Sequence, residues 1–249
     1  RMKKEIFEIS GITCLAYEEK KPEEMDVVFL MDRFGYMKLI DKNAYERNKE
    51  AVHNENKYVF NCMNTDKICI FTDTGKMHTI KAVDIPLGRF RDKGTPVDNL
   101  SNYDSSQERM LYVAPVGQLR SDRLLFVTKT SMCKLVEGAE FDVAKRTIAS
   151  TKLADEDELI FIGSASEMEQ IVLQSHGGCF LRFLTQEVST MKKTALGVRG
   201  MKLADDDYLE HAYLLAGHQE YTISYHDKEY ALNKVRLAKR DTKGIKPRI

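Results

Sequence analysis

Apolar residues along this chain fall into short clusters separated by turn-forming residues, and the clusters come in pairs. Cys69-Ile70-Phe71-Thr72 and Met77-His78-Thr79-Ile80 read as two strands. Asp73-Thr74-Gly75-Lys76 between them supplies the positive-φ residue that a tight hairpin needs. The plan recurs around Phe34-Gly35, Thr130-Ser131, Gly177-Gly178 and Asp227-Lys228, giving hairpins near 29–40, 69–80, 124–135, 172–183 and 222–232. The turn glycine is kept in three of them and replaced by Ser131 and by Lys228 in the others.

The hairpins recur at a period of about 40 to 55 residues, the spacing of propeller blades. Further strands fit between them at Lys57 to Met63, Arg109 to Val116, Glu158 to Ile162 and Tyr208 to Leu215, so each unit has material for about four strands. Helical signals are thin: Pro22 to Met25 and Lys42 to Ala51 have room for a turn or two. Units of this kind cannot each bury both faces alone and must pack against one another. The expectation is one all-β domain over residues 1–249, with the opening strand Lys4 to Leu15 pairing with the last blade to close the ring.

Composition narrows the class. Hydrophobic residues make up 43% and charged residues 31% of 249, which fits a folded soluble protein. No apolar run approaches the roughly 20 residues of a membrane-spanning helix, and a cytoplasmic protein with no membrane partner is expected. Cys14, Cys62, Cys69, Cys133 and Cys179 are scattered and read as free, mostly buried thiols. His211 and His218 have no third ligand nearby in sequence, so no metal is expected. The formal net charge is zero, but the charge is segregated. Acids concentrate at Asp155 to Glu158 and Asp205 to Asp207, while basic residues recur in glycine-containing loops after the hairpins: Arg89 to Leu100, Met191 to Leu203 and Lys239 to Ile245. Binding to a polyanion follows such local fields, not the chain total.

Three runs carry a family resemblance: G-K-x-x-x-x-K-x-x-x-I-P at Gly75 to Pro86, K-G-T-P-x-x-N-L at Lys93 to Leu100, and G-V-R-G-M-K-L at Gly197 to Leu203. In their order and their places within successive units, the chain resembles the C-terminal domain of the A subunit of bacterial type IIA topoisomerases, that is, DNA gyrase and topoisomerase IV. The resemblance implies a β-pinwheel, a propeller-like disc of five or six four-stranded blades that exchange strands. It implies a non-catalytic domain whose basic rim binds and bends duplex DNA without sequence preference. The implied partners are the breakage-reunion domain of the same polypeptide, which holds the strand-cleaving tyrosine, and the ATPase B subunit. The domain itself takes no cofactor, and ATP and Mg belong to the parent enzyme. Gyrases of this family carry a Q-R-R-G-G-x-G box after the first hairpin, where this chain has Tyr45-Glu46-Arg47-Asn48-Lys49-Glu50-Ala51. The glycines are missing, which favours a topoisomerase IV-like subunit, or a diverged gyrase, over a negatively supercoiling gyrase.

The DNA contacts are expected from Lys38, Arg47, Lys49, Lys76, Lys81, Arg89, Arg91, Lys93, Lys134, Lys145, Arg146, Arg182, Lys192, Lys193, Arg199, Lys202, Lys234, Arg236, Lys239, Arg240 and Lys243. Gly75, Gly94, Gly178, Gly197, Gly200 and Gly244 are assigned to turns. The competing reading is a propeller that binds protein through a flat face; it lacks tryptophan anchors, and its tyrosines are dispersed. An enzyme is disfavoured, because no nucleophile elbow, metal box or phosphate-binding glycine loop is present.

Overall fold

The computed structural model describes residues 23–217 and 219–248, preceded by the backbone of two strands, Lys4–Ile9 and Ile12–Tyr17. The five hairpins are present, each the centre of a blade. The first is Asp26–Asp32 with Tyr36–Asp41, and the second Lys67–Thr72 with Lys76–Lys81. The third is Arg123–Thr128 with Met132–Glu137, the fourth Gln170–Ser175 with Phe180–Leu184, and the fifth Thr222–Tyr225 with Lys228–Ala231. In the first four, a third antiparallel strand joins the first hairpin strand: Asn56–Met63, Met110–Pro115, Leu159–Ser164 and Leu209–Leu215.

The fourth strand is always borrowed. Thr95–Pro96 follows the second hairpin in sequence but pairs with Tyr36 and Met37 of the first blade. Thr147–Ala149 likewise returns from the third unit to the second blade, and Val198–Arg199 from the fourth unit to the third blade. Ile245 returns from the fifth unit to Phe180. The second to fifth units thus each return a segment to the blade before them. Among the described residues the fifth blade has two strands.

This architecture explains why the hairpin strands are apolar on both faces. Phe29 and Met31 meet Ile68 and Ile70 of the next blade, whose Cys69 and Phe71 point the other way, toward Leu124 and Phe126. Leu125 and Val127 then meet Ile171 and Leu173, and Val172 meets Ile223 and Tyr225. Each inner blade is a slice between two apolar layers, and among the described residues the first and fifth blades each face one neighbouring blade. On the first blade, Val28, Leu30 and Ile40 are covered by Ala44 and Val52 from two short helices, Lys42–Arg47 and Lys49–Glu55. Asp41 starts the first helix by accepting from the Ala44 amide at 2.8 Å, and Asn48 separates the two by donating back to Ala44 O. The segment Pro22 to Met25 contains no helix over its described residues, 23–25.

Two details of the repeat differ from expectation. Lys4 to Leu15 is not one strand: Lys4–Ile9 and Ile12–Tyr17 are two strands that pair with each other. In the last hairpin the left-handed backbone falls on His226 and Asp227, with φ of 50° and 59°, and Lys228 already belongs to the strand. A two-residue loop of that kind needs positive φ at both central residues. The remaining turns agree with the sequence register: Gly35, Gly75, Ser131 and Gly178 have φ of 82°, 77°, 72° and 81°. Ser131 offsets its strain by accepting the Met201 amide on Oγ at 2.7 Å.

Candidate nucleic-acid interface

The third strands of successive blades abut one another, so they define the axis side of the array. The borrowed strands lie on the opposite, outer edge. The loops that deliver them therefore ride on the rim.

Three of these loops have one geometry. Residues 87–96, 190–199 and 237–246 each begin with a parallel bridge onto the preceding blade, at Leu39, Leu135 and Arg182 respectively. Each ends with a strand pairing two residues upstream, at Met37, Cys133 and Phe180. Between those two anchors the loop arches outward. At the second anchor, glycine is demanded by proximity: a Cβ at Gly94 would sit 2.7 Å from Met37 O, at Gly197 2.6 Å from Cys133 O, and at Gly244 2.8 Å from Phe180 O. Gly94 and Gly197 are also left-handed, with φ of 80° and 105°. Gly244 and Gly200, expected to serve turns, do not have positive φ; Gly200 packs against Leu173 and Cys133, where a Cβ would approach to 2.6 and 2.7 Å. The loop of the third unit is shorter and places Thr147 where the others have glycine, close to Ile148, which pairs with Met77.

The arches expose cations at matching places. Arg89, Lys192 and Lys239 occupy one register position, and Lys93 and Lys243 another. Arg91, Lys145, Arg146, Arg199, Lys202, Lys234 and Arg236 are exposed on the same loops or their flanks, as are Lys76 and Lys81 on the second hairpin. Arg47 and Lys49 are exposed on the helical segment of the first blade. Lys246, absent from the expected set, follows Ile245 as Arg199 follows Val198; the shared glycine-apolar-basic spacing is the signal that identifies it. Some of these charges are partnered on the surface. Lys192 lies 3.6 Å from Glu140, and Arg199 bonds to Asp241, whose carboxyl this contact holds below the usual carboxylate range.

Five expected contacts turn inward in part, and one of them, Lys134, is corrected by its burial. Lys134 is 1% exposed: its Nζ donates to Lys193 O at 2.8 Å and Ala195 O at 2.6 Å, beneath the arch. Burial pushes its pKa down to about 8. Lys38 is half-buried in the equivalent place, donating to Phe90 O and to Asp92 O. Burial lowers its pKa too, and Asp92 opposes that shift. Arg182 sits at a first anchor, half-buried, with Nη1 donating to Gln170 at 3.1 Å. Lys193 turns inward to Glu140 O at 3.3 Å, and Arg240 donates through Nε to Glu187 O at 3.0 Å. All five alternate with outward residues along strand or loop, and sequence position alone does not separate the two directions.

The acidic clusters have a structural use. Asp157 accepts from the amide and hydroxyl of Thr130, and Asp207 from the Gly177 amide, so each caps the hairpin turn of its neighbouring strands. Cys62, Cys69 and Cys133 are buried thiols with pKa values raised to about 12 by burial. No helix among the described residues is long and apolar enough to cross a membrane.

Comparison with known proteins agrees with this geometry. The sequence profile described as "DNA gyrase C-terminal domain, beta-propeller" matches residues 66–105, 122–166 and 169–216. The chain is 25% identical to the A subunit of DNA gyrase from Ureaplasma parvum over 88% of its length, and 26% identical to that from Lawsonia intracellularis over 94%. It spans 28% and 30% of those relatives. Its fold is similar to a crystal structure of the C-terminal domain of DNA topoisomerase IV, with a TM-score of 0.78 at 22% identity over 90% of this chain and 73% of that one. It is also similar to the E. coli ParC C-terminal domain, with a TM-score of 0.69 at 13% identity over 90% of this chain and 94% of that one. The DNA gyrase A C-terminal domain gives a TM-score of 0.59 at 18% identity, over 89% and 76% of the two chains. With just over half of its residues matched by the profile, the chain belongs to the DNA gyrase C-terminal domain family, the β-propeller-like part of a type IIA topoisomerase.

Proposed function

We propose that this chain binds and bends duplex DNA on its outer edge, without sequence preference, and presents it for ATP-dependent strand passage by the rest of a topoisomerase. The observation that carries the reading is the register of the arches: the same loop, pinned at the same two points, exposes cations on the rim of the first, third and fourth blades. Backbone contacts of this kind position a duplex without reading its bases. Bending the duplex along the rim costs a few kcal/mol, about what a set of charge contacts offsets. The partners this role requires are the breakage-reunion domain of the same polypeptide and the ATPase B subunit, in the cytoplasm where chromosomal DNA lies.

The reading extends to the type of enzyme. Where a gyrase box would stand, the segment Tyr45 to Ala51 is folded into two helices that cover the apolar face of the first blade. Only Arg47 and Lys49 add positive charge there, against Glu46 and Glu50. That supports a topoisomerase IV-like role, with bending and capture of a DNA segment instead of wrapping for negative supercoiling. The second reading, a protein-docking propeller, is favoured by the exposed Val83 and Leu87 beside Met25, where the first arch begins.

Fluorescence anisotropy of unrelated duplex sequences against salt separates the two. With about two phosphate contacts on each of four loops, log affinity falls against log salt with a slope of about −7, whatever the sequence. Affinity that is insensitive to salt, or absent at low salt, overturns the DNA reading.

A further inference from the structure

A side chain that lies between the two anchors of an arch points beneath it. At that position the first blade has Lys38, the second His78, the third Lys134 and the fourth Leu181. The two lysines make the same pair of hydrogen bonds, to the fourth and sixth residues of their loops: Phe90 and Asp92 for Lys38, Lys193 and Ala195 for Lys134. Two independent copies of one contact, between blades of different sequence, are not an accident of packing. We infer that Lys38 and Lys134 are positioning residues, each an internal ammonium that fixes the arch over it so that the loop's own cations face outward.

The physical case is one of direction. A loop carbonyl that turns inward toward an ammonium makes a charge-assisted hydrogen bond, stronger than the bond it would make to water. Two such carbonyls on alternate residues set the direction of the peptide units between them, and so of the side chain they flank. In the third blade that intervening residue is Thr194, and Lys192 flanks the bonded Lys193 on the other side. In the first blade the intervening residue is Arg91 itself. The shorter loop over His78 needs no ammonium; there the ring bonds to Glu108 at 2.7 Å and to Thr147 at 3.0 Å, and the full arch over Leu181 is held instead by its own fourth residue, Arg240, whose Nε donates to Glu187 O at 3.0 Å.

The inference rests on the DNA-binding reading, and its test separates the two. Lys134→Met keeps the length of the side chain and removes the donors. Hydrogen exchange of the 192–199 segment in that variant is expected to speed up while the core strands of the same blade keep their protection. Duplex affinity is expected to fall, with the salt slope less steep by about 1 to 2, as though exposed loop cations had been removed. A double-mutant cycle gives the readout that general destabilisation would not: on a background of Lys192→Gln and Arg199→Gln, Lys134→Met should cost little further affinity. Full additivity in that cycle, or normal loop protection in Lys134→Met, overturns the inference and leaves the DNA reading standing. Failure of the unaltered protein to bind duplex overturns both.

Discussion

Gly94→Ala tests the arch at its tightest point. The added Cβ would lie 2.7 Å from the carbonyl oxygen of Met37, which is backbone of a buried strand and cannot give way. The residue also sits at φ 80°, a conformation that costs an L-residue about 1–2 kcal/mol. Relief of the contact requires the loop to lift from the first blade, which gives up the pairing of Thr95 with Met37 at about 1 kcal/mol per hydrogen bond. The combined cost is about 2–3 kcal/mol. Gly75→Ala is the control: its φ is 77°, but its nearest neighbours are side-chain methyl groups of Leu153 and Thr151 at 3.1 and 3.3 Å, so only the conformational cost of about 1–2 kcal/mol applies. Urea unfolding measures the global part, and hydrogen exchange at Val97, whose amide donates to Gly35 O, measures local release of the loop. The reasoning is refuted if Gly94→Ala leaves both within about 0.5 kcal/mol of the parent, the usual range for an unremarkable surface substitution.

Reversing Arg91 and Lys93 to Glu should weaken duplex binding and flatten its salt slope by about 2 in anisotropy titrations, without lowering the melting temperature. Because the Lys134 pKa is lowered in the folded protein to about 8, the unfolded chain binds more protons between that pH and its ordinary value of 10.5. The contribution of Lys134 to stability therefore rises with pH across that window, so the stability of the parent relative to Lys134→Met should increase in melting curves taken from pH 7 to 10. Phe71 meets Phe141 edge-on at 4.9 Å and Phe126 at 6.2 Å in the layer between the second and third blades. Phe71→Ala should cost about 3–5 kcal/mol in urea unfolding.

The hairpins were legible because their turns impose local chemistry: Gly35, Gly75 and Gly178 supply the left-handed residue, and even Ser131 occupies the register that the glycines set. The borrowed strands were not legible from local pattern. Thr95–Pro96 and Val198–Arg199 are two residues long, too short for any periodicity, and their partners lie in another unit. The family resemblance implied that strands are exchanged but not which residues do so; Gly94 and Gly197, expected in turns, stand at the point of closest approach. The same limit governs the site. Lys93 and Lys134 look alike as basic residues near glycine loops, yet one lies on the arch and the other in the strand beneath it. What separates them is the two-residue period of the strand: Cys133 and Leu135 bond to the loop, and the residue between them must point under it.

The central claim is that the arches are the DNA-contacting surface. Covalent lysine labelling with and without duplex, read residue by residue by mass spectrometry, tests it most directly. The account predicts that Lys93, Lys145, Lys192, Lys239 and Lys243 react freely in the unbound protein and are protected by duplex, while Lys134 reacts poorly in both states. Protection absent from the arches, or confined to lysines elsewhere on the blades, would contradict it.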